Sequence, residues 1–98
     1  MLVKIHSSYR KIVAICDTDL LGKKFEEGKR AIEIKEGFFK GEEKTEPDVL
    51  KIIEEHSGED STFNIVGKDS IKTALKSGII QKEGIIHIQG IPVALILL

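Results

Sequence analysis

TEPDVLKIIEEHSGEDSTFNIVGKDSIKTALKSG, residues Thr45 to Gly78, is the stretch whose reading decides the fold. Thr45 stands where a helix cap belongs, Pro47 is tolerated in a first turn, and Glu46 and Asp48 complement the positive end of a helix dipole. Val49, Leu50, Ile52 and Ile53 then fall on one apolar stripe, and His56-Ser57-Gly58 supplies a stop. A helix is predicted there. Phe63-Asn64-Ile65-Val66 reads as a short buried strand. Gly67-Lys68-Asp69-Ser70 opens a second helix with Ile71, Ala74 and Leu75 on one face and Gly78 as the C′ residue. Helix, strand and helix are read here as parts of one α+β domain built on a sheet.

The strands for that sheet lie on either side. Leu2 to His6 and Lys11 to Cys16 are β-rich runs separated by Ser7-Ser8-Tyr9-Arg10, short enough for a hairpin loop. Pairing His6 with Lys11 places Ile5 opposite Ile12 and Val3 opposite Ala14, and keeps one face apolar. After a turn through Asp17 to Gly22, Arg30-Ala31-Ile32-Glu33-Ile34-Lys35 alternates as a strand should, with Phe38-Phe39 behind it as a core anchor. Lys40-Gly41-Glu42-Glu43-Lys44 reads as an exposed, mobile loop. Downstream, Ile85 to Ile88 and Val93 to Leu98 are two closing strands separated by Gln89-Gly90-Ile91-Pro92. The last is apolar without interruption, so it is expected either at the centre of the sheet or paired with another chain. The expectation is one α+β domain over residues 1–98, with a largely antiparallel sheet of five to six strands and two helices in the order ββ-β-α-β-α-ββ.

Composition is consistent with that reading and bounds the function. Ninety-eight residues, 41% apolar and 32% charged, suffice for one core but not two. The formal net charge is −1, which removes any global attraction to nucleic acid. The charge is unevenly spread: residues 1–30 hold seven Lys/Arg against four acids, residues 31–60 four against ten, and residues 61–98 four against two. Cys16 is alone, so no intrachain disulfide is possible, which fits a reducing, cytoplasmic setting. No apolar run reaches the roughly 20 residues that a membrane helix needs, and no secretory leader is recognisable. Abundant Ile, Lys and Glu beside a single Asn is a bias found in chains from hot environments.

Motifs for chemistry are sparse. Gly67-Lys68 resembles the end of a phosphate-binding loop, but Thr62 occupies the place of the first Gly and Asp69 follows the Lys. The helix start there retains free N–H groups that suit a lone anion, or simply a cap. Cys16, Asp17 and Asp19 gather at the end of the second strand as the weak catalytic candidates. A nucleophile there lacks a base in reach, since His6 lies toward Lys11 and His56 and His87 are remote in sequence. One Cys and three scattered His give no metal spacing, and no cofactor is expected. The paired acids Glu42-Glu43, Glu54-Glu55 and Glu59-Asp60 read as solvated surface. Arg10, Lys11, Lys23, Lys24, Lys29 and Arg30 form a phosphate-contacting patch if Gly22 and Gly28 fold the later pairs beside the first hairpin. A solvated face is the alternative, because Asp17, Asp19, Glu26 and Glu27 are interspersed.

The segment Cys16-Asp17-Thr18-Asp19-Leu20-Leu21-Gly22-Lys23-Lys24-Phe25-Glu26-Glu27-Gly28 resembles a signature of a family of small archaeal single-domain proteins of unknown function. The likeness continues through Ile32–Ile34, the acidic helix, Asn64-Ile65-Val66-Gly67, Ala74–Gly78 and Gly90-Ile91-Pro92, and so spans nearly the whole chain. It implies a stand-alone domain and an archaeal source, and it transfers no reaction or site residue. The functional expectation is therefore a non-catalytic module that binds RNA or a ribonucleoprotein through Arg10, Lys11, Lys23, Lys24, Lys29 and Arg30. The rival is a protein adaptor or a homodimer that pairs through Val93 to Leu98, and the third reading is a small enzyme using Cys16 with Asp17 or Asp19.

Overall fold

The structure is a computed structural model and describes residues 1–58 and 60–98. Its elements run β1 (Leu2–Ser7), β2 (Lys11–Cys16), a 3-10 turn at Thr18–Leu20, β3 (Lys24–Glu27), β4 (Arg30–Glu33), α1 (Glu36–Phe39) and β5 (Glu42–Glu43). There follow α2 (Glu46–His56), β6 (Ser61–Val66), α3 (Lys68–Ser77), a 3-10 turn at Lys82–Gly84, β7 (Ile86–Ile88) and β8 (Ile91–Leu97). Six strands form one sheet in the order β5-β1-β2-β6-β8-β7, while β3 and β4 make a separate hairpin. Among the described residues only the β2–β6 pair of the main sheet is parallel. The α+β class, the largely antiparallel sheet and the order of the longer elements are as expected.

The sheet is covered on both sides. On one face Val3, Val13, Ile15, Phe63, Ile65 and Ala94 pack against Val49 and Ile53 of α2 and Ile71 and Ala74 of α3. On the other, Leu2, Ala14, Cys16 and Val66 meet Leu20, Ile34 and Phe39. This second layer is what misleads a reading of the first hairpin. Val13 to Cys16 are all buried, so their alternation carries no register information. The true pairing is Ser7 with Lys11, His6 with Ile12 and Ile5 with Val13, one residue from the expected register. A three-residue loop results, and the Ser8 hydroxyl donates to the Arg10 carbonyl at 2.8 Å within it.

Three further corrections concern short elements. Residues 24–27, to which the sequence pattern assigned no element, are β3, and Phe25 sits opposite Ile32 of β4. Residues 36–39 form a one-turn helix, so there are three helices among the described residues. Glu42 and Glu43, read as part of a mobile loop, pair with Val3 and Leu2. Gly41 lets that strand close in: a Cβ there would stand 2.0 Å from the Val3 carbonyl oxygen. At the other end of the sheet, Ile91 and Pro92 belong to β8, not to a connecting segment, and Gln89-Gly90 alone makes the turn from β7, both at positive φ.

The two long helices start differently from one another. Thr45 has the extended backbone of a cap, but its hydroxyl donates to the Asp48 carboxylate at 3.1 Å instead of accepting from the helix. Gly67 precedes α3 at φ +110° and has no side chain with which to cap. The cap comes from elsewhere in the chain, as described below. Gly78 ends α3 in the left-handed conformation, as expected.

Candidate functional site

β2 delivers Cys16 and Asp17 to the end of the sheet beside the start of α3. Cys16 is fully buried, and its thiol is pushed up to about 11 by that burial first and by the Asp17 carboxylate second. A thiol so placed is not the thiolate that nucleophilic chemistry requires at neutral pH. Asp17 is 8% exposed and accepts from the Asp69 N–H at 3.1 Å, the Ser70 N–H at 2.8 Å and the Ser70 hydroxyl at 2.7 Å. It therefore caps α3 from a neighbouring strand and fills the anion position at that helix start. Gly67 makes the approach possible, since a Cβ on it would lie 2.3 Å from Asp17 Cγ. Asp19 is exposed on the 3-10 turn.

No base joins this group. His6 stacks on Phe38 with ring centroids 4.8 Å apart, its Nε2 lies 2.9 Å from the Phe38 carbonyl oxygen, and it pairs with Ile12 at the far end of β1 from Cys16. Nearby, Glu43 accepts from the Met1 ammonium at 2.7 Å and from the Thr18 hydroxyl, and its carboxyl is held below the usual range by these bonds in that order. Among the described residues no three His, Cys, Asp or Glu side chains are grouped to hold a metal ion. Glu59 lies outside the described residues; its neighbour Asp60 is exposed.

The basic residues divide between two regions. Arg10 is a staple: its Nε donates to Thr62 Oγ1 at 3.0 Å, and its Nη2 donates to the carbonyls of Ser61, at 3.0 Å, and of Leu98. Its Nη1 lies 3.6 Å from an Asp60 carboxylate oxygen. Lys11 starts β2 opposite Ser61, while Lys23 is joined through its backbone to Leu20 and Ile34 beyond the other end of that strand. Five steps of strand, roughly 17 Å, separate these ends. Lys24 pairs with Glu26 at 3.1 Å, Lys29 lies in the two-residue turn of the hairpin, and Arg30 begins β4. Arg10 and Lys11 thus do not join Lys23, Lys24, Lys29 and Arg30 in one compact patch. A lysine cluster that sequence reading overlooked lies elsewhere. Lys68, Lys72, Lys82 and His87 rim a groove of about 370 Å3 floored by Ile71, Leu75, Ile85 and Pro92. The spacing of Lys68 and Lys72, one helical turn apart, was its only trace in the sequence.

The most unusual surface is on β8. Leu95 is 60% exposed and Leu97 69%, with Ile86 and Leu98 beside them near 40%. β8 pairs with β6 from Val93 to Leu97, but with β7 only from Ile91 to Val93. Two bonds settle which way its backbone faces. The Pro92 carbonyl accepts from Gly67 N–H, and Leu98 N–H donates to the Ser61 carbonyl, so the even-numbered residues address β6. Val93, Leu95 and Leu97 address the opposite side. Val93 meets Ile86 there, and Leu95 and Leu97 have no ladder partner among the described residues. Val93 to Leu98 is therefore neither a fully central strand nor a free edge: one side is sealed and the other half open.

The α+β domain thus combines a sheet covered on both faces with a capped helix, a buried thiol and a half-open apolar strand. The chain belongs to the DUF424 family of proteins of unknown function, whose family model matches residues 5–98. Its fold is similar to the crystal structure of an uncharacterized conserved protein from Methanopyrus kandleri, with a TM-score of 0.79 and 23% identity over 97% of this chain and 88% of that one. Comparison with curated proteins returns no match. No helix among the described residues is long and apolar enough to cross a membrane.

Proposed function

We propose that the protein is a non-catalytic contact module whose working surface is the open side of β8, engaged by protein. The observation that carries this reading is the coincidence, at Leu95 and Leu97, of exposed leucine side chains with backbone groups that, on the side away from β6, have no ladder partner among the described residues. Such an edge is a template for a further strand, and it carries no Lys, Pro or bulge in its open part to discourage one. The test is a pull-down with the tagged chain, in native form and as Leu97→Lys, each divided into RNase-treated and untreated halves. The reading expects protein retained by the native chain in both halves and lost from the variant, with unchanged circular dichroism. Equal retention by the variant refutes it.

A second reading keeps an anionic partner such as RNA, now supported by the groove rimmed by Lys68, Lys72, Lys82 and His87 more than by the amino-terminal cations. Phosphate contact by these lysines predicts affinity that falls steeply with salt and a salt slope reduced by about one for each lysine removed. Retention that disappears on RNase treatment and in a Lys68→Ala, Lys72→Ala double variant would favour it over the β8 reading.

A further inference from the structure

We propose that the strand completing β8 is β8 of a second copy of this chain, paired antiparallel about a two-fold axis through Ile96. This inference rests on the reading of β8 as the contact edge and names its occupant. The argument begins with the backbone. Leu95 and Leu97 each turn one N–H and one C=O to the open side, because the even-numbered residues address β6. With the axis at Ile96, Leu95 of one copy lies opposite Leu97 of the other, and the converse. Both are hydrogen-bonded pairs, so the groups of both residues in both copies are used. An axis at Leu95 would instead set Leu97 against Val93 of the second copy, whose groups are already committed to Ile86 in β7. One register therefore satisfies the whole open segment.

The side chains agree with it. Opposite residues of an antiparallel pair share a face. The exposed leucines at 95 and 97 of both copies thus form one apolar cluster, and Ile96 meets its own counterpart on the face packed by the helices. Nothing between Ile91 and Leu98 is charged, so no like charges are brought together and none is present to select an acidic or basic partner. The far edge of the sheet closes off the alternative of an open filament. It is β5, two residues long and made of Glu42 and Glu43, continued by the part of β1 from Lys4 to Ser7 that β5 does not cover, where Lys4 discourages strand addition. Self-pairing at β8 thus closes a dimer with two-fold symmetry.

The experiment is equilibrium sedimentation of the native chain and of Leu97→Lys, followed by oxidative cross-linking of cysteine variants. The native chain, 10.9 kDa, is expected at twice that mass and the variant at the monomer mass with unchanged circular dichroism. Opposed Cα atoms lie about 4.5–5.5 Å apart in an antiparallel ladder, within disulfide reach. Ile96→Cys therefore links to itself, and the Leu95→Cys, Leu97→Cys double variant links where Ile96→Cys perturbs the core. Leu95→Cys alone does not, because its counterpart lies on a diagonal of about 7–8 Å. Cys16, fully buried, stays in place. A native monomer at high concentration overturns the inference, and linking by Leu95→Cys as fast as by the double variant overturns the register. A monomer whose Leu97→Lys variant nevertheless loses a captured protein defeats the second copy while leaving β8 as the contact edge.

Discussion

Removing the Asp17 side chain is the most direct way to ask whether α3 is held by a cap from another strand. In Asp17→Ala, the Asp69 N–H, the Ser70 N–H and the Ser70 hydroxyl lose their acceptor in a site that is 8% exposed. A hydrogen bond to a charged group contributes about 1.5–3 kcal/mol, and a buried donor left unpaired costs about 1–3 kcal/mol. These terms overlap, and loss of a helix cap by itself costs about 0.5–2 kcal/mol. About 3–4 kcal/mol is therefore expected from the set, equivalent to a fall in Tm of roughly 15–25 °C for a domain of this size. Asp17→Asn keeps one acceptor oxygen but turns an NH2 toward an N–H, and about 1–2 kcal/mol is expected of it. Urea denaturation followed by circular dichroism gives the free energies, and amide hydrogen exchange shows where protection is lost. The reasoning is refuted if Asp17→Ala costs less than about 1 kcal/mol, or if the amides of Asp69 and Ser70 exchange no faster in the variant.

Gly67→Ala places a Cβ 2.3 Å from Asp17 Cγ at a backbone φ of +110°, and it is expected to destabilise as much as Asp17→Ala. The double variant should cost clearly less than the two added together, which a double-mutant cycle measures. The Cys16 thiol titrates near 11 in the folded chain against 9.0 unfolded, so its contribution is whole below pH 9 and lost as pH rises through 11. Stability should fall by about 2–3 kcal/mol across that window through this group. Denaturation at pH 8 and pH 11 should show that difference shrink in Cys16→Ala. Iodoacetamide should modify native Cys16 only at the rate of unfolding, and modification at the rate of a free thiol peptide would contradict its burial. Arg10→Ala removes the link from the first hairpin to Ser61, Thr62 and Leu98. Because the side chain is partly solvated, about 1–2 kcal/mol is expected, with hydrogen exchange quickened at the start of β6 and the end of β8.

What could be read from the sequence was what local chemistry dictates. α2 and α3 announce themselves through apolar spacing, the acids of the first turn and Gly78, and Ile12 to Cys16 through unbroken β preference. β3 was not readable because Phe25 is its only apolar residue, and the strand exists through its pairing with Ile32 on β4. α1 has a single turn with Gly37 inside it, too short for any periodicity, and Phe39 holds it by insertion in the core. The cap on α3 was hidden for a different reason. Asp17 and Ser70 meet only because β2 and β6 run parallel side by side, a pairing that no local pattern encodes. Topology likewise dispersed the amino-terminal cations and assembled Lys68, Lys72 and Lys82, which the charge count had left unremarked.

The place of β8 in the sheet sets an order on how the molecule can be made. It lies between β6 and β7 and follows both of them in sequence, so the main sheet cannot be complete before residues 91–97 have emerged. Until residues 91–97 are free of the ribosome, β6 has β2 on one flank and an exposed ladder on the other. An unpaired ladder of that kind is an aggregation hazard until β8 fills it. The main sheet therefore closes only when β8, an uncharged segment, adds to β6 and brings β7 with it.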